Sequence, residues 1–363
     1  MSNKKTLKLF IALLVSLSCN SLVWSQTKLI SADNPLFNYT GRIDFSMPNS
    51  PLLSWPGSSI ETVFTGTELT IHLDDQLGLN YFNVFIDNDW ENPIIIECIK
   101  GRKSYFITDE LASGTHTLAI FKRTEGKEGA TLFNGLSLSA SGEILPSSKK
   151  LTRKIEFIGD SVTSGLGNEA PLTANDKIRA EKNNYFAYGA ITARALNAQY
   201  HSTSHSGIGI MVSWFDYTMP EYFTQLNAVG KNNSKWDFNQ WQPNVVVINL
   251  FQNDSWLVES RLTPTPTDQE RVMAYHNFLI QVRGAYPHAY IIATLGSMDA
   301  VKAGSKWPGY IKKAVDNIKK QTNDHAITTL FFDYTGYDKH PRIIQHRANA
   351  NKLTIFIKNK LNW

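Results

Sequence analysis

The spacing of apolar residues changes character about 145 residues into the chain. Before that point the apolar segments are short, rich in β-branched and aromatic residues, and separated by Gly, Asp and Asn, as at residues 68–73, 81–86 and 116–120. Partial alternation with frequent turn residues is typical of antiparallel strands. No helical period is sustained in this part. Residues 26–145 are therefore predicted to form an all-β sandwich.

Beyond a linker-like sequence at residues 144–150, apolar strands alternate with amphipathic helices. Strands are predicted at 154–158, 245–250, 289–295 and 329–333, with a weaker candidate at 199–203. Helices are predicted over about 184–197, 268–286, 307–321 and 343–360. This alternation predicts an α/β domain with a parallel sheet covered on both faces. Ligand sites of such sheets lie at the carboxyl ends of the strands, so functional residues should follow strands directly.

The first 25 residues have the pattern of an export signal. Three lysines precede an apolar run from Leu9 to Leu17, and Val23 and Ser25 suit the positions before a cleavage site. A membrane anchor is the alternative, but the run is shorter than the roughly 20 residues that a span needs. Lipid attachment at Cys19 is a weaker alternative, because the sequence around it fits a lipidation site poorly. We expect a secreted or periplasmic chain without a membrane span.

Charge and composition exclude several kinds of partner. The formal net charge is +4, and removal of the signal with its three lysines would leave about +1. No dense cluster of Lys and Arg remains to favour nucleic acid, so a neutral partner fits better. The nine histidines show no metal-ligand spacing, and no cofactor is expected. Cys98 would be the only cysteine left, which precludes an internal disulfide.

Ser161 is the first candidate for chemistry, in the sequence Gly159-Asp160-Ser161 directly after the first strand of the α/β domain. A serine hydroxyl needs an adjacent base and hydrogen-bond donors for the developing oxyanion. A tight strand-to-helix junction exposes the hydroxyl and directs free backbone N–H groups to the same place. The alternative is that Asp160 or Ser161 only caps a helix.

Three further candidates lie at later strand ends. The Asn253 side chain and the backbone N–H of Gly207 could donate to an oxyanion, and His340 could accept the proton of Ser161. Taken singly, Asn253 and Gly207 are more often turn residues, and a histidine there is often a helix cap. His346 is a second candidate for the base. The spacing alone does not decide between the two histidines.

The order Ser, Gly, Asn, His at matching strand ends resembles the SGNH (GDSL-type) hydrolases. By this resemblance Ser161 is the nucleophile and His340 its base. The oxyanion hole would be formed by the N–H groups of Ser161 and Gly207 and by the side chain of Asn253.

The sequence also resembles a narrower family, carbohydrate esterase family 2, in which a jelly-roll sandwich precedes the SGNH domain. The motifs that carry this likeness are Pro56-Gly57-Ser58-Ser59, Phe64-Thr65-Gly66-Thr67, Gly114-Thr115-His116-Thr117-Leu118, Lys122-Arg123-Thr124-Glu125, Met219-Pro220-Glu221 and the sequence at 236–243. The likeness covers nearly the whole chain after the signal. After the predicted signal peptide at 1–25, it implies a jelly roll at 26–145, an SGNH hydrolase domain at 146–363, and removal of acetyl groups from polysaccharides such as xylan and glucomannan.

Two departures from the family concern the substrate. The family usually has Gly where Phe251 stands, so this ring either reshapes the acyl pocket or packs inward. It often has Trp beside the catalytic His, where Lys339 stands, so an aromatic sugar platform would be lost there. Trp256 is a candidate sugar-stacking residue together with Trp214 and Trp307, although a Trp is more often core packing. Phe251, Trp256 and Lys339 are the expected substrate-binding residues.

A third departure concerns the triad. Many SGNH enzymes have Asp three residues before the His, where Tyr337 stands here. Asp338 lies two residues before His340 and is the candidate for orienting it. The alternative, implied by the resemblance, is a Ser–His dyad in which a backbone carbonyl takes that role.

These residues together favour a secreted serine esterase that removes O-acetyl groups from a polysaccharide without a metal. One alternative is a non-catalytic or weakly catalytic carbohydrate-binding protein on the same fold, which Phe251 and Lys339 would suit. Another is an SGNH hydrolase of non-carbohydrate esters, because a fold alone does not establish function. The acyl group, the polysaccharide and the oligomeric state are left open.

Overall fold

The structure is a computed structural model that describes residues 27–148 and 150–363. The predicted signal at 1–25, with Cys19, lies outside these residues. None of the helices in the described part of the chain combines the length and the hydropathy of a membrane span.

The amino-terminal part is a sandwich of two antiparallel sheets. Its strands are β1 (Thr27–Ile30), β2 (Asn38–Thr40), β3 (Ile43–Asp44), β4 (Leu52–Leu53), β5 (Ser59–Thr65), β6 (Leu69–Asp75), β7 (Tyr81–Ile86), β8 (Ile94–Glu97), β9 (Gly101–Thr108), β10 (Thr115–Lys122), β11 (Thr131–Ser139) and β12 (Ile144–Leu145). One sheet has the order β3-β4-β11-β6-β9 with β1 beside β11, and the other has the order β12-β5-β10-β7-β8 with β2 beside β5.

The period-two pattern of the sequence explains how the sandwich fills its core. In β6, Leu69, Ile71 and Leu73 are buried while the residues between them are only half-buried. Phe64 and Phe133 from other strands join the same apolar cluster. Alternate side chains of a strand point to opposite faces, so each strand contributes one apolar face to the space between the two sheets.

The carboxyl-terminal part is a five-stranded parallel sheet of order β14-β13-β15-β16-β17. Its strands are β13 (Arg153–Gly159), β14 (Ala198–Ser204), β15 (Val245–Asn249), β16 (Tyr290–Thr294) and β17 (Ile327–Thr329). The helices are α1 (Ser161–Ser164), α2 (Tyr188–Ala195), α3 (Met219–Tyr222), α4 (Gln252–Arg261), α5 (Asp268–Ala285), α6 (Trp307–Thr322) and α7 (Ile343–Leu361). Short 3-10 turns lie at Gly126–Glu128, Arg179–Glu181, Asn184–Phe186, Phe238–Gln240 and Asp299–Val301.

Apolar clusters lie on both faces of the parallel sheet. Helices α5 and α6 contribute to one cluster, and α2 and α7 contribute to the other. Strand β15 is buried along its whole length, as expected for the centre of a sheet with two covered faces. The predicted fold class, an all-β sandwich followed by an α/β domain with a parallel sheet, is confirmed.

Several elements differ from the sequence prediction, among them the short helix α3, which was not predicted. The last strand was expected at 329–333 but lies at Ile327–Thr329, and the residues after it keep only single backbone bonds to the neighbouring strand segment, from Leu330 to Ala293 and from Phe332 to Leu295. Helix α4 was not predicted, since its first residues are polar side chains that are nevertheless buried. Hydrophobic periodicity does not detect a helix whose buried face is polar.

The register of the parallel strands brings their ends to one edge. Gly159 at the end of β13 pairs with Ser204 at the end of β14 and with Asn249 at the end of β15. The segments that follow these three strands therefore emerge side by side, which is where the candidate residues were expected.

Arg42, just before β3 of the sandwich, forms a buried ion pair with Glu156 of the parallel sheet. Its Nη2 donates to Glu156 Oε1 at 2.7 Å, and its Nη1 donates to the carbonyl oxygen of Phe223 at 2.6 Å. Thr203 donates to the same carboxylate oxygen at 2.6 Å. The guanidinium lies 5.3–5.4 Å from four ring centroids, those of Trp55, Phe223, Trp236 and Phe238. This cation of the sandwich is thus enclosed mainly by residues of the carboxyl-terminal part.

Removal of the Arg42 guanidinium should destabilise the fold strongly. We expect Arg42→Met to lower the free energy of unfolding by about 3–5 kcal/mol, because Glu156 would remain as an uncompensated buried charge. The double variant Arg42→Met/Glu156→Leu should recover most of that loss. Chemical denaturation measures both effects. Lys231→Met, which breaks an exposed ion pair with Glu221, is the control and should cost less than about 1 kcal/mol. Equal losses for Arg42→Met and the control would contradict the interpretation.

Candidate active site

Ser161 lies where the chain turns from β13 into α1. The Asp160 side chain caps this short helix by accepting the N–H of Val162 at 3.0 Å, and Gly165 ends it in the left-handed conformation. Ser161 is the first helical residue, and the first N–H groups of a helix have no acceptor within it. The turn therefore presents a hydroxyl and a free backbone donor at the same edge of the sheet.

His340 lies in the segment between β17 and α7 and contacts Ser161. Its Nε2 is 2.7 Å from Ser161 Oγ. The other candidate base, His346, is buried within α7, where its Nδ1 accepts the backbone N–H of Tyr188 at 3.1 Å. Burial lowers the pKa of His346 to about 3, so it remains a neutral core residue. The structure therefore brings together the two residues that the sequence paired.

The residue that orients His340 is Asp176, which the sequence analysis missed. Asp176 Oδ2 lies 2.9 Å from His340 Nδ1 and also accepts the backbone N–H of His340 at 3.0 Å. Its Oδ1 lies 2.5 Å from Arg342 Nη1. Burial raises the pKa of Asp176, but the hydrogen bonds from His340 and Arg342 outweigh burial and bring it to about 2. The carboxylate is thus charged at any ordinary pH.

Asp338 does not take the place beside His340 that the sequence analysis expected. Its side chain is 83% exposed, and Oδ1 accepts from Lys302 Nζ at 3.1 Å and from the Tyr334 hydroxyl at 3.2 Å. The backbone between Asp338 and His340 directs the two side chains to different neighbours. Asp176 is 164 residues away along the chain, in a polar segment without periodicity, so no local spacing could reveal it.

The segment that carries Asp176, residues 165–183, is fastened at several points. Lys339 Nζ donates to the carbonyl oxygens of Ala174 at 2.6 Å and Leu172 at 3.0 Å. Arg342 donates to the carbonyl oxygen of Gly167 at 2.9 Å. From the sandwich, Arg123 donates to the carbonyl oxygen of Ala180 at 2.6 Å, and it also pairs with Glu169. The segment that carries Asp176 is thus held by cations from the sandwich and from the carboxyl-terminal part of the chain.

The loop after β14 carries Gly207 with a φ of +90°, a conformation that favours glycine. Asp254 in α4 shapes the next part of this loop, because its carboxylate accepts the N–H groups of three successive residues, Ile210, Met211 and Val212. A Cβ on Gly209 would lie 2.6 Å from this carboxylate. Burial raises the pKa of Asp254 to about 6.

The Asn253 amide lies between the serine turn and the Gly207 loop. Its Nδ2 donates to the carbonyl oxygen of Ile208 at 2.9 Å and lies 3.5 Å from Asp160 Oδ2. Trp214 Nε1 donates to Asn253 Oδ1 at 3.1 Å, which fixes the direction of the amide. Burial raises the pKa of Asp160 to about 7. The three predicted oxyanion donors therefore belong to neighbouring segments.

Comparison with known proteins agrees with this geometry. A family model described as the N-terminal part of carbohydrate esterase 2 matches residues 39–147. The solved structure of a family two carbohydrate esterase from Clostridium thermocellum, in complex with cellohexaose, is 33% identical and covers 90% of this chain and 99% of that one, with a TM-score of 0.80. The chain belongs to carbohydrate esterase family 2.

Two curated relatives agree with the membership of family 2. The cellulase/esterase CelE of Acetivibrio thermocellus is 34% identical over 91% of this chain, which spans only 40% of the length of CelE. An acetylxylan esterase / glucomannan deacetylase of Cellvibrio japonicus is 28% identical over 96% of this chain and 98% of its own length. The predicted family is confirmed, and these names support the predicted class of carboxylic ester hydrolase.

Phe251 does not line the site, which corrects its assignment as a substrate-binding residue. It stands where family 2 usually has Gly and keeps the left-handed conformation, with a φ of +97°. Its buried ring packs against Tyr275 and Trp307 at centroid distances of 4.9 and 5.1 Å. The ring is therefore part of the core, and Trp307 is a core residue too.

The assignment of Lys339 as a substrate-binding residue is also corrected. Family 2 often has Trp at this position, and the lysine here contacts backbone carbonyls of the Asp176 segment rather than an open surface. Trp256 and Trp214 are exposed, by 38% and 53%, and Trp256 Nε1 donates to Asp299. Among the residues described, no three or more of His, Cys, Asp and Glu are grouped so that they could hold a metal ion.

Substitution of the two aspartates should separate their roles. Asp176→Asn should lower kcat by about 10²–10⁴-fold, because removal of a triad carboxylate leaves the histidine without its charged partner. Asp338→Asn should leave kcat within about twofold, because this exposed side chain does not touch His340. Rates of acetate-ester hydrolysis above pH 5, where Asp176 is charged, measure both. A larger loss for Asp338→Asn than for Asp176→Asn would overturn the assignment.

Phe251→Gly should destabilise the fold although it restores the residue usual in family 2. Loss of a buried aromatic ring costs about 3–5 kcal/mol. Relief of the left-handed backbone returns about 1–3 kcal/mol at most. We therefore expect a net loss of about 2 kcal/mol, within the range of about 0–4 kcal/mol that these two figures allow, in chemical denaturation, with little change in KM for a small acetate ester. A variant more stable than the wild type would contradict this expectation.

Proposed function

We propose that this chain removes O-acetyl groups from a polysaccharide by nucleophilic catalysis at Ser161. The observation that carries the proposal is the continuous contact from Ser161 Oγ to His340 Nε2, and from His340 Nδ1 to Asp176. A serine with a base at hydrogen-bond distance, and a base held by a carboxylate, is the arrangement that acyl transfer requires.

In the acylation step, Ser161 Oγ attacks the acetyl carbonyl while His340 Nε2 takes the hydroxyl proton. Asp176 stabilises the imidazolium that forms, since its carboxylate faces Nδ1. The negative oxygen of the tetrahedral intermediate meets the N–H groups of Ser161 and Gly207 and the Asn253 Nδ2 hydrogen that does not bond the Ile208 carbonyl oxygen. Collapse of the intermediate breaks the bond to the sugar oxygen, which takes the proton from His340 and leaves as an alcohol.

Deacylation repeats this sequence with water in place of the sugar. His340 takes a proton from the water, the hydroxide attacks the acetyl-serine carbonyl, and the same donors bind the oxyanion. Collapse returns the proton to Ser161 Oγ and releases acetic acid, which loses its remaining proton to solvent as acetate. The chain supplies every proton carrier of this cycle.

The substrate class follows from the relatives and from the exposed aromatic residues. The curated Cellvibrio japonicus relative is named for acetylxylan and glucomannan, and the Clostridium thermocellum structure holds cellohexaose. Trp214, whose indole donates to Asn253, presents a ring beside the oxyanion donors. Aromatic faces stack on the C–H surfaces of pyranose rings. A β-linked polysaccharide carrying acetyl groups fits these features, and the export signal would deliver the enzyme to it.

Ser161→Ala should reduce acetate release from acetylated xylan and glucomannan by at least about 10³-fold, because the nucleophile is lost. Ser164→Ala is the control, since Ser164 lies on the same short helix but donates to Ser204 rather than contacting His340. It should remain within a few fold of the wild type. Acetate assays with each polysaccharide measure the rates. Glycan binding by titration without acetate release from the wild type would instead support a binding protein on this fold.

A further inference from the structure

A buried carboxylate of the sandwich reaches the loop that carries Gly207. Glu125 lies in the connection between β10 and β11 and is fully buried. Its Oε2 accepts the backbone N–H of Ser206 at 2.6 Å. Ser206 immediately precedes Gly207, so this contact joins the amino-terminal domain to an oxyanion donor of the catalytic domain.

The other oxygen of Glu125 fixes the direction of the carboxylate. Oε1 lies 2.7 Å from the ammonium of Lys182, which is also buried. Glu128 Oε1 lies 2.7 Å from the same ammonium. Lys182 therefore has two carboxylate partners from the sandwich, and only Glu125 also contacts the Gly207 loop. A buried charge is costly unless it is paired and hydrogen-bonded, and Glu125 and Lys182 meet that condition.

The peptide group on the other side of Ser206 is fixed as well. His205 Nδ1 lies 2.8 Å from the Ser206 carbonyl oxygen, and Tyr217 OH lies 3.1 Å from His205 Nε2. Burial lowers the pKa of His205, so the ring is neutral, donates through Nδ1 and accepts the tyrosine hydroxyl at Nε2. The Ser206 carbonyl and the Gly207 N–H belong to one planar trans peptide and point in opposite directions.

The Gly207 N–H is thereby aimed by two contacts, one on each peptide flanking Ser206. It donates to no other group in the part of the chain that the structure describes. A hydrogen bond from a backbone N–H to a carboxylate is about twice as strong as one between neutral groups, which suits a contact that must hold a loop in place.

We propose that Glu125 is a positioning residue for the oxyanion hole, holding the backbone at Ser206 so that the Gly207 N–H faces the tetrahedral intermediate. This inference rests on the proposed function at Ser161. It makes the sandwich a structural component of the catalytic centre rather than only a neighbouring module.

The test compares Glu125→Gln with Glu128→Gln in the full chain. Both replace a buried carboxylate that pairs with Lys182 by an amide of the same shape, but only the first removes the charge that accepts the Ser206 N–H. We expect Glu125→Gln to lower kcat for acetate esters about 10–100-fold with KM within about threefold, because loss of a whole oxyanion donor costs about 10²–10³-fold. Glu128→Gln should keep kcat within about threefold at a comparable melting temperature.

Glu125→Asp serves if Glu125→Gln does not fold, because it keeps the charge opposite Lys182 but is one methylene too short to maintain both contacts. It should show the same loss of kcat. Equal kcat values for the Glu125 and Glu128 variants would overturn the inference, since a role in stability alone affects both.

A second measurement separates this inference from the proposed function. Diethyl 4-nitrophenyl phosphate reacts once with an activated serine. The Oγ–P bond forms as the hydroxyl proton passes to His340, the P–O bond to the nitrophenyl group breaks, nitrophenolate leaves, and the phosphoryl oxygen occupies the oxyanion hole. If the wild type releases no acetate but Ser161 is phosphorylated, the assignment of a polysaccharide substrate fails. The effect of Glu125→Gln on the rate of Ser161 phosphorylation then still tests the role of Glu125. A wild type whose Ser161 reacts with neither reagent would overturn both.

Discussion

The buried ion pair between Arg42 and Glu156 determines how the two parts of the chain fit together. It takes a cation from the sandwich and encloses it among aromatic rings behind the parallel sheet, with its carboxylate partner on the central part of β13. Such a pair tolerates little displacement, because moving either charge leaves the other buried and unpaired. This ion pair therefore fixes the position of the sandwich relative to the sheet without any contribution from the site residues.

The catalytic centre depends on that fixed position at two places. The strand–loop segment from Lys122 to Glu125 contacts the Asp176 segment through Arg123 and the Gly207 loop through Glu125. The parallel register of the sheet supplies the other half of the geometry, since it aligns the ends of β13, β14 and β15. The residues proposed as acid, base, nucleophile and oxyanion donors are therefore brought together from distant parts of the sequence by one domain interface and one sheet edge.

Sequence reasoning identified the elements whose signals are local. Ser161 and Asn253 follow strands that buried apolar runs predict, Gly207 follows a strand with a weaker signal, and His340 stands before a helix with an apolar stripe. The triad acid was missed because Asp176 lies in a polar segment, and only folding brings it to His340. Phe251 and Lys339 were assigned to the substrate because they depart from the family, but their side chains serve packing and loop attachment. A residue that departs from the family pattern does not by itself reveal which neighbours its side chain contacts.

The contact of Arg123 with the Asp176 segment has a consequence for engineering this fold. The sandwich and the hydrolase domain share charged contacts, so they are not independent cassettes that can be exchanged at their linker. A recombinant that joined this hydrolase to a sandwich without Arg123, Glu125 and Glu128 would leave Lys182 as a buried cation without its two carboxylates, and Glu169 without its guanidinium partner.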